Sequence, residues 1–224
     1  MNKLFTSTLL LASMIFAISS CGDDDYNSLS AFCLSYGVVE KPSAGNYTIR
    51  LDDGKVLYPY TSNIASHYFE NDMRLFVDYT ILQNADTEST YDLYVRINGA
   101  KEILTKDILL FSEEIHDSLG YDPIELQEPW ISNGFITFEY LFGGGDTKHM
   151  VNLVQHEALM EDGRVLLEFR HNAHKDPRNY KIQGAVAFRI EKAFPDATEP
   201  ISLRVKYKAY DKEKSFDLTY TPPK

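Results

Sequence analysis

Cysteine is scarce in this chain: two occur in 224 residues, Cys21 and Cys33. That excludes a disulfide framework, so the fold must be held by burial, for which about 200 residues are sufficient. Cations are also short, with 22 Lys and Arg against 33 Asp and Glu, a formal charge of −11. This balance argues against nucleic acid, whose affinity depends on neutralised phosphates. It also argues against docking on anionic headgroups, and favours solubility and basic partners. Catalytic signatures are missing. There is no Gly-x-Ser-x-Gly elbow and no His-Glu-x-x-His helix. Gly143–Asp146 with Lys148 lacks the spacing of a phosphate loop and is flanked by strand-like sequence, which predicts a hairpin turn. No fixed-period repeat, low-complexity tract or long helical periodicity is present, and Trp130 is the single tryptophan.

The main apolar run, Leu4–Ile18, follows Lys3 and ends at Ser19-Ser20-Cys21. It is too short and wrongly flanked for a membrane span and reads as a secretory leader over 1–20. Small residues directly before a cysteine form a lipobox-like cleavage site, which makes Cys21 the expected lipidated N-terminus. An anchor with several acyl chains would be effectively permanent, because each buried methylene adds about 0.8 kcal/mol. Loss of 1–20 removes Lys3 and no acid, leaving 21 basic against 33 acidic residues, net −12. Asp23, Asp24 and Asp25 follow at once and resemble the acidic surface-export signal of Bacteroidetes lipoproteins; the alternative is a solvated tether over 21–30. The expected location is the outer membrane, lipid-anchored and facing outward. Cys33 is then a lone thiol between Phe32 and Leu34, read as a packed apolar side chain.

The remainder is strand-like, with period-two alternation rich in Tyr, Phe, Val, Ile and Thr. In the first half, Leu34–Glu40 comes first, then Tyr47–Leu51 and Lys55–Tyr60 around a turn at Asp52-Asp53-Gly54. Met73–Leu82 and Tyr91–Ile97 follow, and Asn98-Gly99 is expected to turn the chain into Glu102–Phe111. So many strands in so short a stretch suggest a small OB-like barrel over 31–116. Gly120, Pro123 and Pro129 mark 117–129 as a linker, with a short helix around Ser112–Ser118. Strands around Phe135–Phe142, Lys148–Gln155, Val165–Phe169, Val186–Ile190, Leu203–Ala209 and Phe216–Tyr220 suit an antiparallel β-sandwich over 130–224. The fold class is all-β.

Candidate chemistry is sparse. His171, His174 and Asp176 could supply zinc ligands or acid–base groups. Against that, His171 continues the Val165, Leu167, Phe169 face, which predicts a buried histidine at a structural turn. His149 and His156 lie about 23 Å apart on an extended strand and cannot share a metal within it. The acidic pairs Asp52-Asp53 and Glu113-Glu114 read as solvated carboxylates rather than a glycosidase pair. Tyr58, Tyr60 and Tyr68 are candidate binding aromatics. Trp130 either stacks on a glycan or fills a domain junction. No cofactor is expected, and the partner would be a protein or a glycan.

The lipobox, the segments YTIRLDDGKVLYP and WISNGFITFEYLF, the KHMVNLV strand and LEFRHNAHKD together resemble the NigD-like lipoproteins of Bacteroidetes. The resemblance covers nearly all of 31–220 and implies an N-terminal OB-like domain followed by a C-terminal β-sandwich. It carries no assigned catalytic residues. It also implies a glycine where Lys175 stands, and, through the bacteriocin gene cluster that gave the family its name, a role in immunity. The leading expectation is a non-enzymatic binding protein. The alternatives are an immunity-type lipoprotein and a metal-dependent enzyme using His171, His174 and Asp176.

Overall fold

The computed structural model describes residues 32–43 and 46–223. The leader, Cys21 and Asp23–Asp25 lie outside the described residues. No helix among the described residues is long and apolar enough to cross a membrane.

β1 (Phe32–Ser43), β2 (Asn46–Leu51), β3 (Val56–Ser62), β4 (Arg74–Asn84) and β5 (Leu93–Glu102) close a barrel in the order β1-β2-β3-β5-β4. Closure removes the sheet edges. It requires β1 to pair with β4 over its first half and with β2 over its second, and Gly37 is the crossing point, opposite both Leu75 and Leu51. A Cβ there would meet Ile49 at 2.8 Å and the Arg50 carbonyl at 2.9 Å, so only glycine lets the strands approach. Alternate residues fill the interior: Val39, Ile49, Leu57, Leu75, Val77, Val95 and Ile97 are fully buried, with Cys33 beside them. Each fully buried aliphatic side chain contributes about 1.5–3 kcal/mol.

Asn98-Gly99 is not a turn. β5 runs straight through it and accommodates Asn98 as a bulge, since Asp78 pairs with Gly99 while Tyr79 pairs with Ile97. The Asn98 amide donates to Asp78 (2.9 Å) and Thr80 (3.0 Å), which satisfies the bulged residue. The barrel therefore ends at Glu102, well short of residue 116. The expected strand 102–111 is split into β6 (Leu104–Asp107) and β7 (Leu109–Leu110), one for each sheet of the second domain.

That domain is a sandwich. Its first sheet has the order β6, β13 (Tyr180–Arg189), β10 (Phe135–Gly144), with β8 (Glu125–Leu126) and β9 (Trp130–Ser132) sharing the far side of β10. The second has the order β15 (Glu213–Tyr220), β14 (Ile201–Lys208), β12 (Val165–Asn172), β11 (Met150–Leu159), β7. Antiparallel pairs dominate, and parallel pairs join β6 to β13, β7 to β11 and β12 to β14. Ile136, Phe138, Val186 and Phe188 of one sheet pack on Leu153, Leu167, Phe169, Leu203 and Val205 of the other. Two short helices, α1 (Glu113–Leu119) and α2 (Ile190–Ala193), complete the domain.

Residues 117–129 are part of this domain and not a linker. Leu119, Ile124 and Leu126 are buried in it, and β8 pairs with β10. The glycine and prolines that suggested a boundary instead shape a tight course over the sandwich. Gly120 has φ +68°, and a Cβ there would strike Asn172 at 2.6 Å.

Candidate functional site

Three places collect the residues singled out by sequence. The first is the outer face of the barrel. Leu57 and Leu93 point inward and pair in register, so their successors Tyr58 and Tyr94, also paired, point out. Tyr60 is the extra residue of a bulge in β3 and stands 69% exposed. Tyr91, in the connection before β5, closes the group. The ring centroids lie 4.8 Å (Tyr58–Tyr91), 5.6 Å (Tyr58–Tyr94), 5.2 Å (Tyr91–Tyr94) and 6.4 Å (Tyr60–Tyr94) apart. The Tyr91 and Tyr94 hydroxyls are 3.0 Å apart. That contact, with Asp86 adding, raises the Tyr94 phenol above its ordinary value. The adjoining loop, 85–92, carries Asp86, Glu88 and Asp92 and no Lys or Arg. Four amphipathic rings side by side form a stacking surface with polar tips, the composition typical of recognition patches. Tyr68 has no ring contact with the cluster: it packs edge-on against Phe69 at 5.4 Å.

The second place is the contact between the domains. Trp130 Nε1 donates to Asp52 (2.7 Å), and its ring meets Tyr36 edge-on at 5.1 Å. Asp52 is therefore not a solvated carboxylate, unlike its exposed neighbour Asp53. It sits at the end of β2 and takes both guanidinium arms of Arg74 at 2.5 Å each. Arg74, almost wholly buried, also donates to Thr137 of β10 at 2.9 Å. Asn133 reaches Asp52 and the Leu51 carbonyl, both at 3.2 Å. Burial alone would raise the Asp52 carboxyl; the Arg74 guanidinium outweighs it and holds the group below the usual carboxylate range. Around this clasp Val38, Ile103, Phe135 and Ala187 form an apolar interface. Tyr36 donates to Glu139 at 2.6 Å, and burial with that carboxylate pushes its phenol up. Trp130 is a junction residue.

The third is the segment His171–Asp176. His171 is 2% exposed, and its Nδ1 lies 3.2 Å from the Pro123 carbonyl. Its Nε2 meets Nδ1 of His149 at 2.8 Å, and Nε2 of His149 lies 3.1 Å from Asp176. Asp176 also accepts the Gly145 and Thr147 N–H groups. His174 stands apart, exposed, with φ +50°, and its N–H is taken by Asn172 at 2.9 Å. His171, His174 and Asp176 are thus not assembled as three ligands, and no group of three potential metal ligands occurs among the described residues. His149 is the partner that sequence reasoning missed. It follows a glycine turn, and nothing along the chain signals that β11 and β12 bring it beside His171.

A closed five-stranded OB barrel clasped to a two-sheet β-sandwich defines a two-domain class of all-β protein. The NigD-like N-terminal OB domain matches residues 36–103 and the NigD-like C-terminal beta sandwich domain matches 107–220. The chain belongs to the NigD-like family. Among solved structures, a protein from Parabacteroides distasonis named as toxin-related is 31% identical, covering 85% of this chain and 94% of its own, with a TM-score of 0.73. A NigD-like immunity protein from Bacteroides caccae is 19% identical, covering 88% and 99%, with a TM-score of 0.66. A Bacteroides fragilis protein named as a lipoprotein is 12% identical, covering 85% and 96%, with a TM-score of 0.58. No curated protein matches.

Proposed function

We propose that this protein is a lipid-anchored binding protein of the cell envelope, displayed at the outer surface, that acts without catalysis and engages a glycan or protein through the tyrosine face of its barrel. The observation that carries this reading is the cluster of Tyr58, Tyr60, Tyr91 and Tyr94, four rings on the outer side of a barrel that needs none of them for its interior, with Tyr60 exposed and the other three half-buried. In OB-folds the β2–β3 face and the β4–β5 loop are the usual recognition elements, and here Tyr58 and Tyr60 lie on β3 and Tyr91 in that loop. The acidic charge favours neutral or basic partners over nucleic acid. The Ser19-Ser20-Cys21 leader and the relative named as a lipoprotein support the anchor. The test is a glycan and peptide array probed with wild type and with a Tyr58→Ser/Tyr94→Ser variant. Binding that the variant loses supports the reading, and binding that it retains refutes it.

Immunity is the second reading, favoured by the relative named as an immunity protein. Deletion of the gene should then sensitise its host to one co-encoded toxin and leave other stresses unaffected.

A further inference from the structure

Asp176, His149, His171 and the Pro123 carbonyl form a linear chain of three contacts at 3.1, 2.8 and 3.2 Å. Both ends only accept: a backbone carbonyl has no proton to give, and the Asp176 carboxylate receives two backbone N–H groups, from Gly145 and Thr147. Each contact is a hydrogen bond only if it contains one proton and no more. Three bonds therefore need three protons on four ring nitrogens. Two neutral imidazoles carry only two.

We propose that His149, His171 and Asp176 form a buried proton-binding site, holding one proton more than the same groups carry in an unfolded chain at neutral pH. In the arrangement that satisfies every contact, His149 is an imidazolium donating from Nε2 to Asp176 and from Nδ1 to His171. His171 is neutral, accepts at Nε2 and donates from Nδ1 to Pro123. The positive charge lies beside its counter-ion. Both charged partners are buried, with side chains 3% and 2% exposed.

The surroundings agree. Gly145 foremost, then His149 and Thr147, hold the Asp176 carboxyl at about 2, so it is the acceptor. His171 resists a further proton because it is buried and because His149 faces it. The site thus binds one proton and opposes a second. Asp122, from the segment before β8, is the other charge acting on His171; its Oδ2 accepts the Ala173 N–H at 2.8 Å. From β10, Phe142 covers both rings, at 4.2 Å from His149 and 5.2 Å from His171. Lys148 and Lys175 are exposed, and Arg178 is engaged over Tyr210 at 5.2 Å. The proton holds together the β10–β11 turn, the start of β11, the end of β12 and the strap at Pro123, which together make up one end of the sandwich.

The folded chain binds the extra proton and the unfolded chain does not, so the folding constant falls as pH rises. The fall begins above the ordinary histidine value of about 6.5 and runs at about tenfold per pH unit until the folded site itself empties. Asp176→Asn is the discriminating variant. Its carboxamide N–H can donate to His149 Nε2, so two neutral imidazoles complete the three bonds of the chain with no extra proton, while the Gly145 N–H loses the oxygen it shared with His149. Denaturant titrations of the full chain between about pH 7 and 8.5 should show a tenfold-per-unit loss in wild type and a flat response in Asp176→Asn. Nitrogen-15 NMR of the wild-type imidazoles at pH 7.5 should find three of the four ring nitrogens protonated, a measurement that stands even if the variant fails to fold. Two bare nitrogens in wild type, or equal pH slopes in the two proteins, would overturn the proposal.

Discussion

Replacing Asp52 by alanine should be among the most damaging single changes away from the hydrophobic cores. The Arg74 side chain is fully buried, and its Nε already has no hydrogen-bond partner. Its two arms rest on Asp52, and only one has a second acceptor, Thr137. Removal of the carboxylate leaves a buried cation uncompensated, which costs about 3–5 kcal/mol. Trp130 Nε1 and one Asn133 contact are orphaned as well, but these share the same acceptor and do not add in full. Against a typical stability of about 5–15 kcal/mol, that is a large fraction, and for a chain of this size it lowers the melting temperature by roughly 6–20 °C. Urea unfolding followed by circular dichroism measures it. Asp52→Asn/Arg74→Met, which removes both charges while keeping an acceptor for Trp130, should recover much of the loss. The pH response follows in sign. The Asp52 carboxyl is held low in the fold, so its contribution is present above the unfolded carboxylate range and is lost as pH falls through the lower folded value. Asp52→Ala should lack that acid-sensitive step. A loss below about 1 kcal/mol in Asp52→Ala would refute the clasp as the element that joins the domains.

Four further expectations concern the turn at Lys175, the segment 117–129, the anchor and the acidic triplet. Lys175 has φ +62°, in the left-handed region that disfavours side chains, so Lys175→Gly should stabilise by roughly 0.5–1 kcal/mol in the same urea assay. Limited proteolysis should spare 117–129, whose Leu119, Ile124 and Leu126 are buried, and nick an exposed connection such as 85–92 first. Cys21→Ala should abolish lipid labelling and leave unprocessed or soluble protein, and alanine at Asp23, Asp24 and Asp25 should reduce protease access in intact cells if that triplet directs export.

Alternation made the strands legible, because a half-buried strand must alternate. Leu75, Val77, Tyr79 and Ile81 on β4, and Leu203, Val205 and Tyr207 on β14, are the buried faces that periodicity predicts. The barrel-plus-sandwich class followed from strand number and spacing. Connectivity at the join was not legible. Asn98-Gly99 has the local chemistry of a turn, yet tertiary pairing with β4 makes it a bulge. The short strands β6 and β7 are edge additions whose partners lie some 45 to 80 residues later. The sites show the same division. Burial of His171 could be read from its strand face, and the glycine-like conformation at Lys175 from the family resemblance. The pairing of Arg74 at the start of β4 with Asp52 just after β2, of His149 with His171 across a hairpin, and of Tyr58 with Tyr94 in a parallel pair exists only once the strands have found their neighbours.

Recognition through the tyrosine face is the central claim, and a binding titration tests it most directly. A glycan or peptide selected on the array would be titrated into wild type, Tyr58→Ser/Tyr94→Ser and a control, Tyr68→Ser, which lies outside the ring cluster. Removal of well-packed interface aromatics costs about 1–2 kcal/mol each, so the double variant should weaken binding by roughly 30-fold to 1,000-fold. The control should bind as wild type does. Equal affinity of the double variant and wild type would contradict the account and place the recognition surface elsewhere on the molecule.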